Sequence, residues 1–187
     1  MALTTVRSTG IGSLPAISGA NLTSLNASNI SSGTLNSARF SGGKIGQVVT
    51  ATKTNEFQTS STSYSTTGLE ATITPSSTSS KIFMIAATGA MHSSTTSAGG
   101  ETLARFYKNH ASISATAIGN DYCVAKSRQD SSYNQEAGGG GSPHYLDSPS
   151  TTEAITYTVY LRINTGNYGR LGQNNTATTI TLMEVLP

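Results

Sequence analysis

Tryptophan is absent, cysteine occurs once, and charged side chains make up only 11% of the 187 residues, against roughly 25% in an average globular chain. So few charges exclude a coiled coil or charged helical bundle, which need Glu and Lys on their solvated faces. Eleven basic and nine acidic residues give a net charge of +2. There is no basic run, so nothing is present to neutralise phosphates and nucleic acid is not an expected partner. The longest apolar run, Ile82 to Ala87, is too short to span a bilayer. The N-terminal MALTTVRSTG has no apolar core of signal-peptide length. The expectation is therefore synthesis in a bacterial cytoplasm without membrane insertion. A lone Cys123 cannot close an internal disulfide, and its expected role is that of a small buried side chain.

Catalytic patterns are missing as well. The chain has no G-x-S-x-G elbow, no phosphate-binding glycine loop and no Cys or His pair at metal-ligand spacing. His92, His110 and His144 lie far apart, in different expected strands or loops. Nine carboxylates are scattered through a chain with no Trp, whereas a glycosidase sets its acid pair in an aromatic-lined cleft. The reading is a non-enzyme with no cofactor and no metal.

What the chain does have is 28 Ser, 29 Thr, 19 Gly and 8 Tyr. Thr and Tyr suit a half-buried pleated surface. Leu, Ile, Val and Phe together number 34, which makes a thin core and points toward oligomerisation.

The composition changes near Lys44. Residues 1–43 hold two charged side chains, Arg7 and Arg39, and no acid. Leu25, Ile30, Leu35, Phe40 and Ile45 recur every five residues. A small or β-branched residue stands two places before each: Thr23, Ser28, Gly33, Ala38 and Gly43. Neither the helical nor the strand period produces this rhythm. It resembles a pentapeptide repeat, which must stack on neighbours to bury its apolar positions. Leu14, Leu22, Leu25, Ile30, Leu35 and Phe40 are the expected packing and attachment positions of this segment.

Residues 44–187 read as strands. In 154–163, AITYTVYLRI, the residues Ile155, Tyr157, Val159, Leu161 and Ile163 share one face, with Thr156, Thr158, Tyr160 and Arg162 on the other. Leu69, Ala71 and Ile73 alternate with Glu70 and Thr72 until Pro75 ends the strand. Ile82 to Ile85 is apolar on both faces and is expected at the centre of a sheet or under a partner chain. Further strands are expected over 45–53, 103–108, 111–118, 121–127, 168–172 and 178–186. Turns are expected at 75–80, 93–100, 138–143, 164–167 and 173–175. No convincing amphipathic helix is present. Eight or nine strands in about 140 residues is the size of a β-sandwich or jelly roll. The expected architecture is all-β: an extended, repeat-like N-terminal segment, then an antiparallel jelly-roll-like knob over 44–187.

The glycine run Gly138 to Gly141 is flanked by Tyr133, Asn134, Gln135, His144 and Tyr145. Tyr supplies rigid amphipathic area, and Asn both donates and accepts, so these five are candidate receptor contacts. The bland alternative is a solvated connection, which glycine runs usually are.

The segment Ser13–Leu25, SLPAISGANLTSL, resembles the LPAVDGSNLTGL phrase of bacteriophage tail-fibre proteins, and Asn26–Leu35 continues in the same style. Gly68–Ser77, Ser79–Ile82 and Thr178–Val185 are similar to the distal domains of fibres, notably from marine phages. The resemblance implies a homotrimeric virion appendage on the tail or capsid surface. Residues 1–43 would meet other virion proteins, and the knob would bind a host-surface glycan or protein. A short tail fibre is the leading reading. A capsid head fibre or decoration protein is the alternative, and a polysaccharide depolymerase follows behind it.

Overall fold

A computed structural model describes residues 44–89, 91–94, 100–127 and 136–187, with the backbone alone described over 91–94 and 136–139. All of these lie in one unit, Phe40–Pro187. The packing positions Leu14, Leu22, Leu25, Ile30, Leu35 and Phe40 lie outside the described residues.

The alternation expected from the sequence is the one observed. Strand β10 (Ile155–Thr165) buries Ile155, Tyr157, Val159, Leu161 and Ile163. Strand β3 (Ser65–Ile73) buries Thr67, Leu69, Ala71 and Ile73. Strand β12 (Thr178–Leu186) buries Thr178, Ile180, Leu182 and Glu184. Each fully buried Leu, Ile or Phe contributes about 1.5–3 kcal/mol, and strict two-residue alternation directs that gain to one face.

The described residues form twelve strands, more than the eight or nine expected. The others are β1 (Lys44–Lys53), β2 (Phe57–Thr59), β4 (Lys81–Ala87), β5 (Met91–Ser94), β6 (Gly100–His110), β7 (Ile113–Ser127), β8 (Glu136–Gly139), β9 (His144–Asp147) and β11 (Tyr168–Leu171). They make three four-stranded sheets, ordered β1-β12-β4-β9, β3-β10-β6-β7 and β2-β11-β5-β8. The first two sheets enclose the core. Setting aside the four short strands of the third leaves eight, counted one to eight along the chain. One sheet then runs 1-8-3-6 and the other 2-7-4-5. This is a strip of paired strands rolled over on itself, a jelly roll.

Every pairing in the first sheet is antiparallel. The links β1→β3, β4→β6, β7→β9 and β10→β12 therefore all emerge at one end of the sandwich. Each link carries one strand of the third sheet, so that sheet caps this end. At the opposite end, the base, lie the start of β1, the end of β12, the links β3→β4 and β9→β10, and the tight β6–β7 hairpin. Lys44 pairs with Leu186 there.

Three expectations need correction. Gly138 and Gly139 are not in a turn: they form part of β8, the outermost strand of the cap, paired to His92 and Met91. The two strands expected over 111–118 and 121–127 are one, β7 (Ile113–Ser127), carried through Gly119. Cys123 is exposed, because β7 has two larger claimants for the interior. Val124 is buried, and Tyr122 sets its ring edge-on to Phe106, centroids 6.3 Å apart. Alternation then turns Cys123 outward. Desolvation and the neighbouring Glu101 carboxylate push the thiol's pKa up, so its exposure does not make it a reactive nucleophile. The strand apolar on both faces, β4, lies between β12 and β9, a central position.

Candidate functional surface at the cap

In β2 and β11 the cap continues the core on its inner side and is polar on its outer side. Leu171 is fully buried, Thr59 is buried, and Phe57 packs against the core cluster. Gly169 is what lets the cap seat closely: a Cβ there would stand 2.6 Å from Thr102. Thr88 and Gly141 tie two of the links together. The Thr88 hydroxyl donates to the Gly141 carbonyl at 2.6 Å, and the Gly141 N–H donates back to that hydroxyl oxygen at 3.0 Å.

Alternation in β2 and β11 leaves Gln58, Tyr168 and Arg170 on the outer side. Arg170 pairs in register with Gln58 and with His92. Its Nε donates to Gln58 Oε1 at 2.7 Å and lies 3.3 Å from Glu56 Oε1. The guanidinium stands over the Tyr168 ring, 4.6 Å from its centroid. Glu56 Oε2 accepts from the Asn174 N–H at 3.0 Å, and the Glu56 N–H donates to Asn175 Oδ1 at 3.4 Å. Asn174 and Asn175 hold left-handed φ of 56° and 59°, a conformation Asn tolerates better than most residues. The result is a polar surface of carboxylate, guanidinium, amides and one phenol ring. Such groups suit a hydroxyl-rich ligand, with planar hydrogen-bonding groups beside an aromatic face.

Of the receptor-contact candidates, Tyr133, Asn134 and Gln135 lie outside the described residues. His144 and Tyr145 begin β9 at its cap end and point in opposite directions. His144 is exposed, its ring centroid 6.4 Å from that of Phe83 and 6.3 Å from that of Tyr122, whose hydroxyl donates to the His144 carbonyl. Tyr145 turns inward and packs on the core against Gly119, where a Cβ would come within 2.9 Å of its ring and where φ is +66°. His110 lies at the base, its Nδ1 2.6 Å from Glu153 Oε2, far from His144 at the other end. Among the described residues no group of three His, Cys, Asp or Glu is arranged to hold a metal ion.

A second polar cluster covers the outer face of the β3-β10-β6-β7 sheet. Tyr107 and Tyr160 stack at 4.0 Å, Tyr64 tilts onto Tyr107 at 5.9 Å, and Arg162 lies over Tyr64 at 5.3 Å. Asp121 bridges Arg162 at 3.1 Å and Arg105 at 3.5 Å. Burial, together with the nearby Asp121 carboxylate, pushes the Tyr64 hydroxyl up to about 12. Rings stack and charges pair across this face, although the Tyr64 hydroxyl and Arg105 Nε are buried without a hydrogen-bond partner among the described residues, and the cluster clads the sheet. The sequence placed Tyr160 and Arg162 on this face. It carried no signal for Glu56, Gln58 and Arg170 as a group, because β2 and β11 meet only after folding.

No protein-family model matches the chain, and no curated protein matches it. Solved structures with some likeness are structures of infectious bursal disease virus and of its VP2 subviral particle. The Gx strain structure aligns at 12% identity and TM-score 0.33, covering 74% of this chain and 40% of that one. A VP2 subviral particle aligns at 14% and 0.32, covering 74% and 39%. This chain thus spans about 40% of their length. Scores so low leave the strand order as the basis for the fold. No helix among the described residues is long and apolar enough to cross a membrane, a statement that does not bear on β-barrels.

Proposed function

We propose that this chain is a structural virion appendage protein, a short tail fibre that attaches to a host surface by multivalent binding. Residues 1–43 hold it to other virion proteins. The jelly-roll knob assembles as a homotrimer, and the cap surface faces outward toward a host glycan or protein. The observation that carries this reading is the polarity of the knob. Residue 43 joins β1 at the base, where Lys44 pairs with Leu186, and the polar cap is built from the links at the other end. A chain that enters the knob at one end and builds a polar surface at the other suits an appendage. Several copies on one particle convert weak single contacts into avidity. Jelly rolls serve capsid and lectin domains alike, so the fold is compatible with the role without specifying it.

The test is twofold. Antibody-labelled virions in the electron microscope should show the protein on the tail; label on the head would favour the capsid-fibre alternative. The purified full chain should compete with virions for host cells, and Arg170→Ala with Tyr168→Ala should weaken that competition. Equal competition by the variant would remove the cap from the binding role. Release of reducing ends from host polysaccharide would replace adhesion by depolymerisation.

A further inference from the structure

The two outer faces of the sandwich are dressed differently. The face of the β3-β10-β6-β7 sheet carries the stacked tyrosines and ion pairs described above. The face of the β1-β12-β4-β9 sheet carries an apolar row that crosses every strand. The register sets Val48 against Met183, Met183 against Phe83, and Phe83 against Leu146. Ile45 and Val185 pair on the base side of this row, and Ile85 lies on the cap side, opposite Thr181. Val48 is 56% exposed, Ile45 53% and Leu146 45%, while Phe83, Ile85, Met183 and Val185 are half-buried. Lys81, opposite Val185, marks the base-side border, and no other charged side chain of β4, β9 or β12 stands on this outer face.

Strands about 4.8 Å apart rising about 3.3 Å per residue give this patch a projected area on the order of 300 Å². A standard two-chain interface takes about 800 Å² from each partner. The occupant must therefore bring contact from elsewhere too. A copy of this chain does so: residues 1–43, the segment with the five-residue apolar rhythm, are joined directly to β1, the edge strand that bears Ile45 and Val48. If that segment holds copies together, their knobs meet at high effective concentration, where a modest apolar contact suffices. The lack of charge points the same way. Homomeric interfaces are the more apolar class, whereas partners chosen by electrostatic complementarity read charge.

We propose that the outer face of the β1-β12-β4-β9 sheet is the surface on which copies of this chain join, with Val48, Phe83, Met183 and Leu146 at its centre. The inference rests on the oligomeric reading above and names its interface. The test uses the full chain in sedimentation velocity across micromolar concentrations. The wild type should sediment as an oligomer. Val48→Glu with Leu146→Glu should associate about 100-fold or more weakly, because like charges would face one another across the contact, with an unchanged far-UV spectrum. Thr72→Glu, on the opposite face, should assemble as the wild type does. If the double variant assembles like the wild type, the face is wrong and the oligomeric reading stands. If the wild type is a 19.3 kDa monomer, both fall. A second measurement does not depend on how the charged variant folds. In a Cys123→Ala background, Val48→Cys should cross-link between copies with a short bismaleimide and Thr72→Cys should not. An assembled protein that fails to cross-link at position 48 overturns the proposal.

Discussion

The two ends of the jelly roll are held by different chemistry. The base is locked by carboxylates. Asp147, buried at the end of β9, accepts from Lys108 Nζ at 2.8 Å and from the Tyr157 hydroxyl at 2.8 Å, joining the two sheets. Glu184, 1% exposed, accepts from Gln47 Nε2 at 2.8 Å and from the Ser76 N–H and hydroxyl at 2.6 and 2.7 Å. Ser112 donates to Glu153, which also meets His110. The cap is held by close backbone approach, by the Thr88–Gly141 bonds and by a surface network around Arg170. A buried ion pair fails badly when one partner is removed, whereas a surface network yields by small amounts. The base therefore carries more of the global stability, and the outer side chains of the cap can change at small cost to folding.

Four experiments test that contrast. The largest effect is expected from Asp147→Ala, which strands Lys108 and the Tyr157 hydroxyl at the sheet interface and should cost about 3–5 kcal/mol of unfolding free energy. Urea denaturation measures it, and a loss under 1 kcal/mol would show that the base is not locked there.

Glu184 should give the base an acid-sensitive component. Burial by itself would raise its pKa, but the bonds from Gln47 and Ser76 outweigh burial and bring it down from 4.5 to about 2. A depressed carboxyl contributes stability that is whole above its unfolded pKa and is lost as pH falls through the folded one. The window is therefore between about pH 4.5 and pH 2, with a full size of roughly 3 kcal/mol. Glu184→Gln should flatten the stability profile across that range while leaving the Asp147 contribution in place. An unchanged profile would assign the acid sensitivity to another group.

Gly169→Ala forces a methyl into Thr102, and crowding of this kind costs about 1–3 kcal/mol. The effect should be local. Hydrogen exchange should quicken in β2 and β11 and stay slow in β4 and β12. Equal quickening in all four would mean that cap and sandwich open as one unit.

The smallest effect on folding is expected from Arg170→Ala: about 0–1 kcal/mol, read in the same urea titration, against a clear loss in competition for host cells. A large loss of stability would make Arg170 a structural residue.

The strands that made the sandwich were legible because alternation is a local property. β3, β10 and β12 each show it in a single stretch of sequence, and Tyr157 was placed inward from its neighbours alone. Of the strands that made the cap, only β11 was expected, over 168–172. β2, β5 and β8 are three or four residues long, too short for a period to register. β8 is half glycine, and alone it reads as a turn. Such strands exist because a neighbour presents an edge at the right place. Cys123 shows the remaining limit. Alternation separated it from Tyr122 and Val124, but which set faces inward is a contest of buried area that only the packed core decides.

By itself, then, the sequence determined the class of structure: all-β, antiparallel, thin-cored and poor in charge, with a change of character at residue 44. Each of these follows from composition or from a period of two, quantities that need no partner in space. The tertiary structure decided how the strands are rolled, which end is capped and which residues meet. Glu56 and Gln58 reach Arg170 across more than a hundred residues of chain, and Val48 reaches Leu146 across two intervening strands. Such meetings are set by register and by the antiparallel sense of each pairing, and neither is written in any local stretch of the chain.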